Sequence, residues 1–189
     1  MKKRLLSSLL VLCLALGMAL SVVAAESVVS SVLKLTSYDG TVSIHNKNGR
    51  AMTPAEDMKL YNGYTLATGA DSYVYLQLGD SSVVKLCSNS TLSVSQSGKN
   101  LEAHLKTGEL MFDVSNTLEN GETFNVRTST MVTGIRGTVG QIQTDGRGAA
   151  LALLAGEVAV STGNVSLGTF KQELVAAGQH VSSVPIPSD

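Results

Sequence analysis

Thr123-Phe-Asn-Val-Arg127, then Thr128-Ser-Thr-Met-Val-Thr133, then Gly134-Ile-Arg-Gly-Thr138 is the stretch whose reading decides the fold. Phe124 and Val126 alternate with polar neighbours, which is the two-residue period of a half-buried strand. A second apolar, β-branched stretch follows, and such residues suit a pleated surface. Gly134 and Gly137 then bracket Ile135 and Arg136, so a tight crossing is expected before the chain resumes as strand.

The same period extends outward in both directions. In Ser72–Leu78, Val74, Leu76 and Leu78 fall on one face, and Tyr73, Tyr75 and Gln77 fall on the other. Leu92 and Val94 point inward in Thr91–Ser95, Leu101, Ala103 and Leu105 in Leu101–Lys106, and Leu110, Phe112 and Val114 in Glu109–Val114. Ala149–Leu153 and Glu157–Val160 continue the pattern through Leu151, Leu153, Val158 and Val160. An internal echo accompanies these strands: Leu66-Ala-Thr-Gly69, Leu105-Lys-Thr-Gly108, Leu153-Leu-Ala-Gly156 and Val175-Ala-Ala-Gly178. Each places an aliphatic residue three positions before a glycine. The expected device is a hairpin in which glycine supplies the positive φ of a tight reversal. Thr53–Lys59 has an N-cap threonine followed by Pro54, enough for one helical turn. Short alternating strands at this spacing predict an all-β fold, a rolled β-sandwich or a β-solenoid-like coil.

The chain has 189 residues, 18 Gly, 3 Pro, no Trp and a formal net charge of −1. Met1–Arg4 is basic, Leu5–Val23 is apolar apart from serines, and Ala24-Ala25 supplies small residues before Glu26. That order is the pattern of a secretory signal peptide, with cleavage expected after Ala25. The competing expectation is an uncleaved anchor, since the apolar run approaches the length of a membrane span. Cys13 makes no lipoprotein box, because Leu12 precedes it. The expected organisation is a signal peptide at 1–25, a linker or first strand at 26–39, one β-domain at 40–184 and a short tail at 185–189.

Taken in order, Gly40-Thr-Val42, Asn62–Gly69, Gly79–Ser82, Thr107–Leu110, Phe124–Thr128, Arg136–Thr138 and Ala155–Val160 resemble the successive elements of the FecR domain. Val175–Gln179 is similar to the last strand of that family. The resemblance implies an exported all-β module of the bacterial envelope. Two positions depart from the family pattern: Ser129 stands where a proline is common, and Gly140 where an aromatic is common. Family members that regulate iron uptake carry a cytoplasmic anti-sigma segment before a membrane helix. Only Met1–Arg4 precede the apolar run here, so that role is not expected to carry over.

The residues offer little chemistry. His45, His104 and His180 have no partner at metal-ligand spacing, and all three are expected at the surface. No nucleophile elbow or phosphate loop occurs. Neither a cofactor nor a metal is expected, and with no basic patch, nucleic acid is not an expected partner. The candidate residues are Arg136, Gly137 and Thr138 at the crossing, Tyr73 and Tyr75 on one strand face, and Cys87. Arg136 is expected to satisfy carbonyls or a carboxylate at the crossing, the alternative being a ligand contact. The tyrosines are expected to pack under a loop or across to a neighbouring strand, the alternative being stacking on sugar or peptide. Cys87 is the one cysteine after residue 25, and strand phase sends it outward while its residue type favours burial. The expected function is non-catalytic binding of an envelope protein or a cell-surface polysaccharide, with membrane contact only through an uncleaved N-terminal segment. The alternatives are a sensor domain acting through a separate membrane partner, and a cell-wall hydrolase using Glu102 and Glu109.

Overall fold

The computed structural model describes residues 33–114, 121–164 and 169–183. The expected signal peptide, most of the 26–39 segment and the tail lie outside them. Sixteen strands and no helix make up the described residues. They are β1 Leu33–Asp39, β2 Val42–His45, β3 Ala51–Met52, β4 Lys59–Leu60, β5 Thr65–Thr68, β6 Tyr73–Leu78, β7 Ser82–Leu86 and β8 Thr91–Ser97. The order continues with β9 Asn100–Val114, β10 Thr123–Arg127, β11 Met131–Ile135, β12 Thr138–Thr144, β13 Ala149–Ala155, β14 Glu157–Asn164, β15 Thr169–Ala176 and β16 His180–Ser183.

These strands form one continuous sheet that doubles back on itself. The first half runs β4-β1-β6-β7-β9-β12-β13-β16, all antiparallel. The second runs β3-β2-β5-β8-β9-β10-β11-β14-β15. Strand β9 belongs to both. Its first part, through Thr107, pairs with β8 and β10, and its second part, from Gly108, pairs with β7 and β12. The two stretches expected as separate strands are therefore one strand with a bend. The β9–β10 pair is parallel, and parallel neighbours need a long crossover. The second part of β9, lying in the other half-sheet, supplies part of it.

The alternation read from the sequence is what closes the fold. Leu33, Leu35, Leu66, Val74, Leu76, Leu86, Leu92, Leu105, Leu110, Phe124, Ile142 and Val160 belong to one buried cluster fed by both half-sheets. Phe124 is among the largest fully buried side chains, with 1% of its surface exposed. Fully burying a side chain of this kind contributes about 1.5–3 kcal/mol. β1, within the segment expected as a linker or first strand, is an integral strand of this core.

The repeated glycine motif marks corners, not hairpins. At Gly69, Gly108 and Gly178 the chain passes from the second half-sheet to the first, and at Gly156 it passes back. Strands that switch sheets in this way make the edges of a folded-over sandwich. Gly108 has φ 93° and Gly156 has φ 85°. Gly69 does not take a positive φ, and Asp71 with φ 51° makes the left-handed step of that corner instead. Neighbouring corners are bonded to one another. Gly69 N donates to Thr41 O at 2.9 Å, Asn89 N to Gly69 O at 3.0 Å, and Ala177 N to Gly156 O at 2.9 Å. Ser72 and Ser90 reinforce the seam, with Thr41 N donating to Ser72 Oγ at 2.8 Å and Glu109 N to Ser90 Oγ at 2.9 Å.

The Thr53–Lys59 segment forms no helical turn. Asp57 sits at φ 60° and Met58 N donates to Ala55 O at 3.2 Å, closing a tight turn between β3 and β4. The two departures from the family pattern have local explanations. Ser129 Oγ donates to Gly146 O at 2.8 Å. Gly140 lies opposite Phe112, and a Cβ there would stand 2.9 Å from Phe112 Cζ and 2.5 Å from Ala152 O. The ring from β9 fills the space that a side chain on β12 would take.

Candidate functional site

The inward sets of five strands leave a defined set of side chains on the outer face of the first half-sheet. Burying Val74, Leu76 and Leu78 turns Tyr73 and Tyr75 out on β6. Burying Ser82, Val84 and Leu86 turns out Val83 and Lys85 on β7, and burying Leu110 and Phe112 turns out Met111 on β9. The register then aligns them: Tyr75 opposite Lys85, Lys85 opposite Met111, and Met111 opposite Gln141. Between β12 and β13, Val139 faces Ala155 while Gly140 faces Leu153. Leu154 is thus the extra residue of a bulge, a feature that re-aims side chains, and it is 67% exposed.

The result is a shallow depression of about 280 Å³ with Tyr75, Val83, Lys85, Met111, Val139 and Leu154 around it. Val83 and Met111 are 40% and 37% exposed. Tyr73 and Tyr75 pack edge to face, with ring centroids 5.6 Å apart at 74°. Lys85 Nζ sits 5.0 Å from the Tyr73 centroid and 5.4 Å from that of Tyr75. The tyrosines therefore pack across to a neighbouring strand, each with its ring toward a cation. A continuous apolar surface on one sheet face is chemically suited to recognition, since single exposed apolar residues are common but contiguous ones are not.

The crossing residues do not converge on that face. Arg136 is exposed and makes no hydrogen bond or ion pair among the described residues. It borders a separate hollow of about 360 Å³ with Glu122, Asn125 and Gly134. The expected closure of buried acceptors by its guanidinium is not formed, because the crossing bends at Gly137, φ 64°, and leaves Arg136 on the outside. Thr138 is fully buried, and its Oγ1 has no hydrogen-bond partner.

A half-buried, paired arginine lies earlier, on β10, and the sequence reading missed it. Arg127 on β10 stands opposite His104 on β9 through the parallel register. Arg127 Nε lies 3.0 Å from Glu102 Oε1 as an ion pair, off the direction of a hydrogen bond. Its terminal nitrogen is 3.5 Å from His104 Nδ1. His104 is half-buried, and burial first, then the Arg127 and Lys106 cations, push its pKa below the usual imidazole range. The signal was available only through the parallel pairing of β9 with β10, which local periodicity does not reveal.

Cys87 is half-buried at a corner. Its N–H donates to Glu109 O at 3.0 Å and its carbonyl accepts from Thr68 Oγ1 at 2.5 Å. Burial first, then the Glu109 carboxylate, raises the thiol pKa, with Lys85 opposing. Glu109 itself accepts from Gln143 Nε2 at 2.9 Å. Glu109 stands on the first half-sheet and Glu102 on the second, so those two carboxylates do not face one bond. A hollow of about 550 Å³ lies beside Glu109, Gln143, Asp145 and Ser183. Asp145 there is held below the usual carboxylate range by the N–H groups of Gly148 and Arg147. Among the described residues, no three His, Cys, Asp or Glu side chains are grouped as a metal site requires.

The family described as FecR protein matches residues 64–159, just over half of the chain. This chain belongs to the FecR family. Its fold is also that of two crystal structures, each of a protein described as a candidate anti-sigma factor from Parabacteroides distasonis ATCC 8503. They align with TM-scores of 0.54 and 0.53 at 15% identity, covering 66% of this chain. The alignments span 57% and 56% of those longer chains. No curated protein matches the chain.

Proposed function

We propose that this chain is an exported, non-catalytic FecR-type module that binds a protein at the bacterial cell envelope through the outer face of its first half-sheet. The observation that carries the reading is the aligned apolar surface of Val83, Met111 and Leu154 beside the Tyr73–Tyr75 pair. A protein partner is favoured over a polysaccharide because Lys85 already lies over both tyrosine rings. Stacking of a sugar needs an open ring face, whereas aliphatic side chains suit a protein surface. Export rests on the basic start, apolar run and small residues of positions 1–25.

A second reading, a sensor that passes envelope signals to a separate membrane partner, is supported by FecR membership and by the folds of the two candidate anti-sigma factors. A sigma-factor and receptor gene beside this one would favour it, and surface-polymer or secretion genes would favour a scaffold. The direct experiment incubates labelled full-length protein with isolated envelope fractions, before and after protease treatment. The reading expects binding that protease treatment of the fraction abolishes. Binding that survives protease but not glycan digestion identifies a polysaccharide, and no binding to either fraction refutes the proposal.

A further inference from the structure

Strand β15 is the outermost strand of the second half-sheet, and among the described residues it pairs only with β14. Its register runs from Glu157 opposite Ala176 to Asn164 opposite Thr169 without a shift, so it is an unbulged edge of 8 residues. The other three edges are shorter: β3 and β4 have 2 residues each and β16 has 4. Folded proteins usually blunt a long edge with a bulge, a proline, shortness or charged side chains; β15 has only the last, and its two charges, Lys171 and Glu173, are of opposite sign.

The hydrogen bonds at its end show which groups are open. Ala177 N donates to Gly156 O at 2.9 Å, so the odd-numbered residues turn their backbone groups toward β14. Ala176 turns away: its N–H donates to Gln179 Oε1 at 2.9 Å, and its carbonyl accepts from Gln179 N at 3.0 Å. Gln179 thus closes that rung. Alternation along an antiparallel strand leaves the N–H and C=O groups of Phe170, Gln172 and Leu174 directed outward. The three open rungs are symmetric about Gln172.

We propose that two copies of this chain pair through β15, antiparallel about a twofold axis at Gln172, so that the second half-sheet continues across the dimer. The sequence is complementary to itself in this register. Phe170 stands opposite Leu174 of the partner subunit, and Lys171 opposite Glu173 of the partner subunit, each twice. Opposite charges and apolar pairs directly across strands stabilise pairing, and like charges oppose it. Leu174 is 62% exposed in the single chain, and the pairing covers it. A twofold interface must be self-complementary in this way, and no other centre on the strand uses all three open rungs.

The test measures the oligomeric state of the full-length protein by sedimentation equilibrium. The wild type should be a dimer. Glu173→Lys and Lys171→Glu should each weaken dimerisation by about tenfold or more, because each sets like charges opposite. The double variant Lys171→Glu with Glu173→Lys restores the pairs and should restore the dimer. A wild type that stays monomeric, or single variants that dimerise as well as it does, would overturn the proposal. Gln172→Cys, in a background with Cys13→Ser and Cys87→Ser, gives an independent reading. Hydrogen-bonded antiparallel residues lie about 5.5 Å apart, inside the range a disulfide spans. Oxidation should therefore give a reducible dimer, and failure to crosslink would also overturn the register.

Discussion

Replacing Gly108 by alanine tests the corner at which β9 changes half-sheets. Gly108 has φ 93°, and an added Cβ would lie 2.5 Å from both Cα and Cβ of Ser90, and closer to its Oγ. Gly98 is the matched control: its φ is 57°, and nothing stands within 4 Å of an added Cβ. Gly98→Ala therefore carries only the cost of the left-handed conformation, about 1–2 kcal/mol. Gly108→Ala carries a comparable conformational cost plus an overpacking cost of about 1–3 kcal/mol. Ser90 cannot simply move aside, since its Oγ accepts from Glu109 N at 2.9 Å and its N–H donates to Thr68 Oγ1 at 3.1 Å. For a chain of this size 1 kcal/mol moves Tm by about 2–4 °C. Urea titration and thermal melts of the two variants should then show Gly108→Ala losing roughly twice as much stability as Gly98→Ala. Equal losses would refute the packing argument and leave only backbone conformation.

Thr138→Val should leave stability unchanged or raise it by about 1 kcal/mol, since it removes a buried hydroxyl without a partner and keeps the shape; a clear loss in a urea titration would mean that the hydroxyl is bonded. His104 has a lowered pKa in the folded state, so below about 6.5 the unfolded chain takes up a proton that the folded chain refuses. Stability should fall as pH drops through that value toward the folded pKa, and melts from pH 8 to pH 5 should show a shallower slope for His104→Gln; identical slopes contradict the assignment. The raised thiol pKa of Cys87 predicts slow alkylation at neutral pH that accelerates only above the usual cysteine range, and labelling as fast as a free thiol at pH 7 would contradict it.

Much of this architecture was legible because a two-residue period translates directly into which face is buried. Val74, Leu76 and Leu78, or Leu110, Phe112 and Val114, are inward in the sequence and inward in the fold. The crossing at Gly134–Thr138 was legible for a similar reason, since a glycine pair interrupts an otherwise regular strand. Periodicity does not say where the chain goes next. It could not distinguish a hairpin at Gly108 from a corner, because both end a strand with a positive φ. It could not pair β9 with β10 in parallel, so the Glu102, His104 and Arg127 cluster stayed hidden while Arg136 looked more consequential. Tyr73 and Tyr75 were visible as a face. Met111 and Leu154 joined them only through the register of β7, β9, β12 and β13, which is set by contacts far apart in sequence.

The central claim is that the outer face of the first half-sheet is the recognition surface. Its most direct test compares envelope binding by the full-length wild type, the double variant Met111→Glu with Leu154→Glu, and a control, Ser43→Glu, at an exposed position opposite Ala67 on the other half-sheet. Both variants alter exposed side chains and should keep the wild-type melting profile, which is measured alongside. Charges placed at an apolar contact centre cost about 2 kcal/mol or more, so the account predicts at least a ~30-fold loss of affinity for the double variant. The control should bind as the wild type does. A folded double variant that binds with undiminished affinity, or a control that loses as much, would contradict the claim.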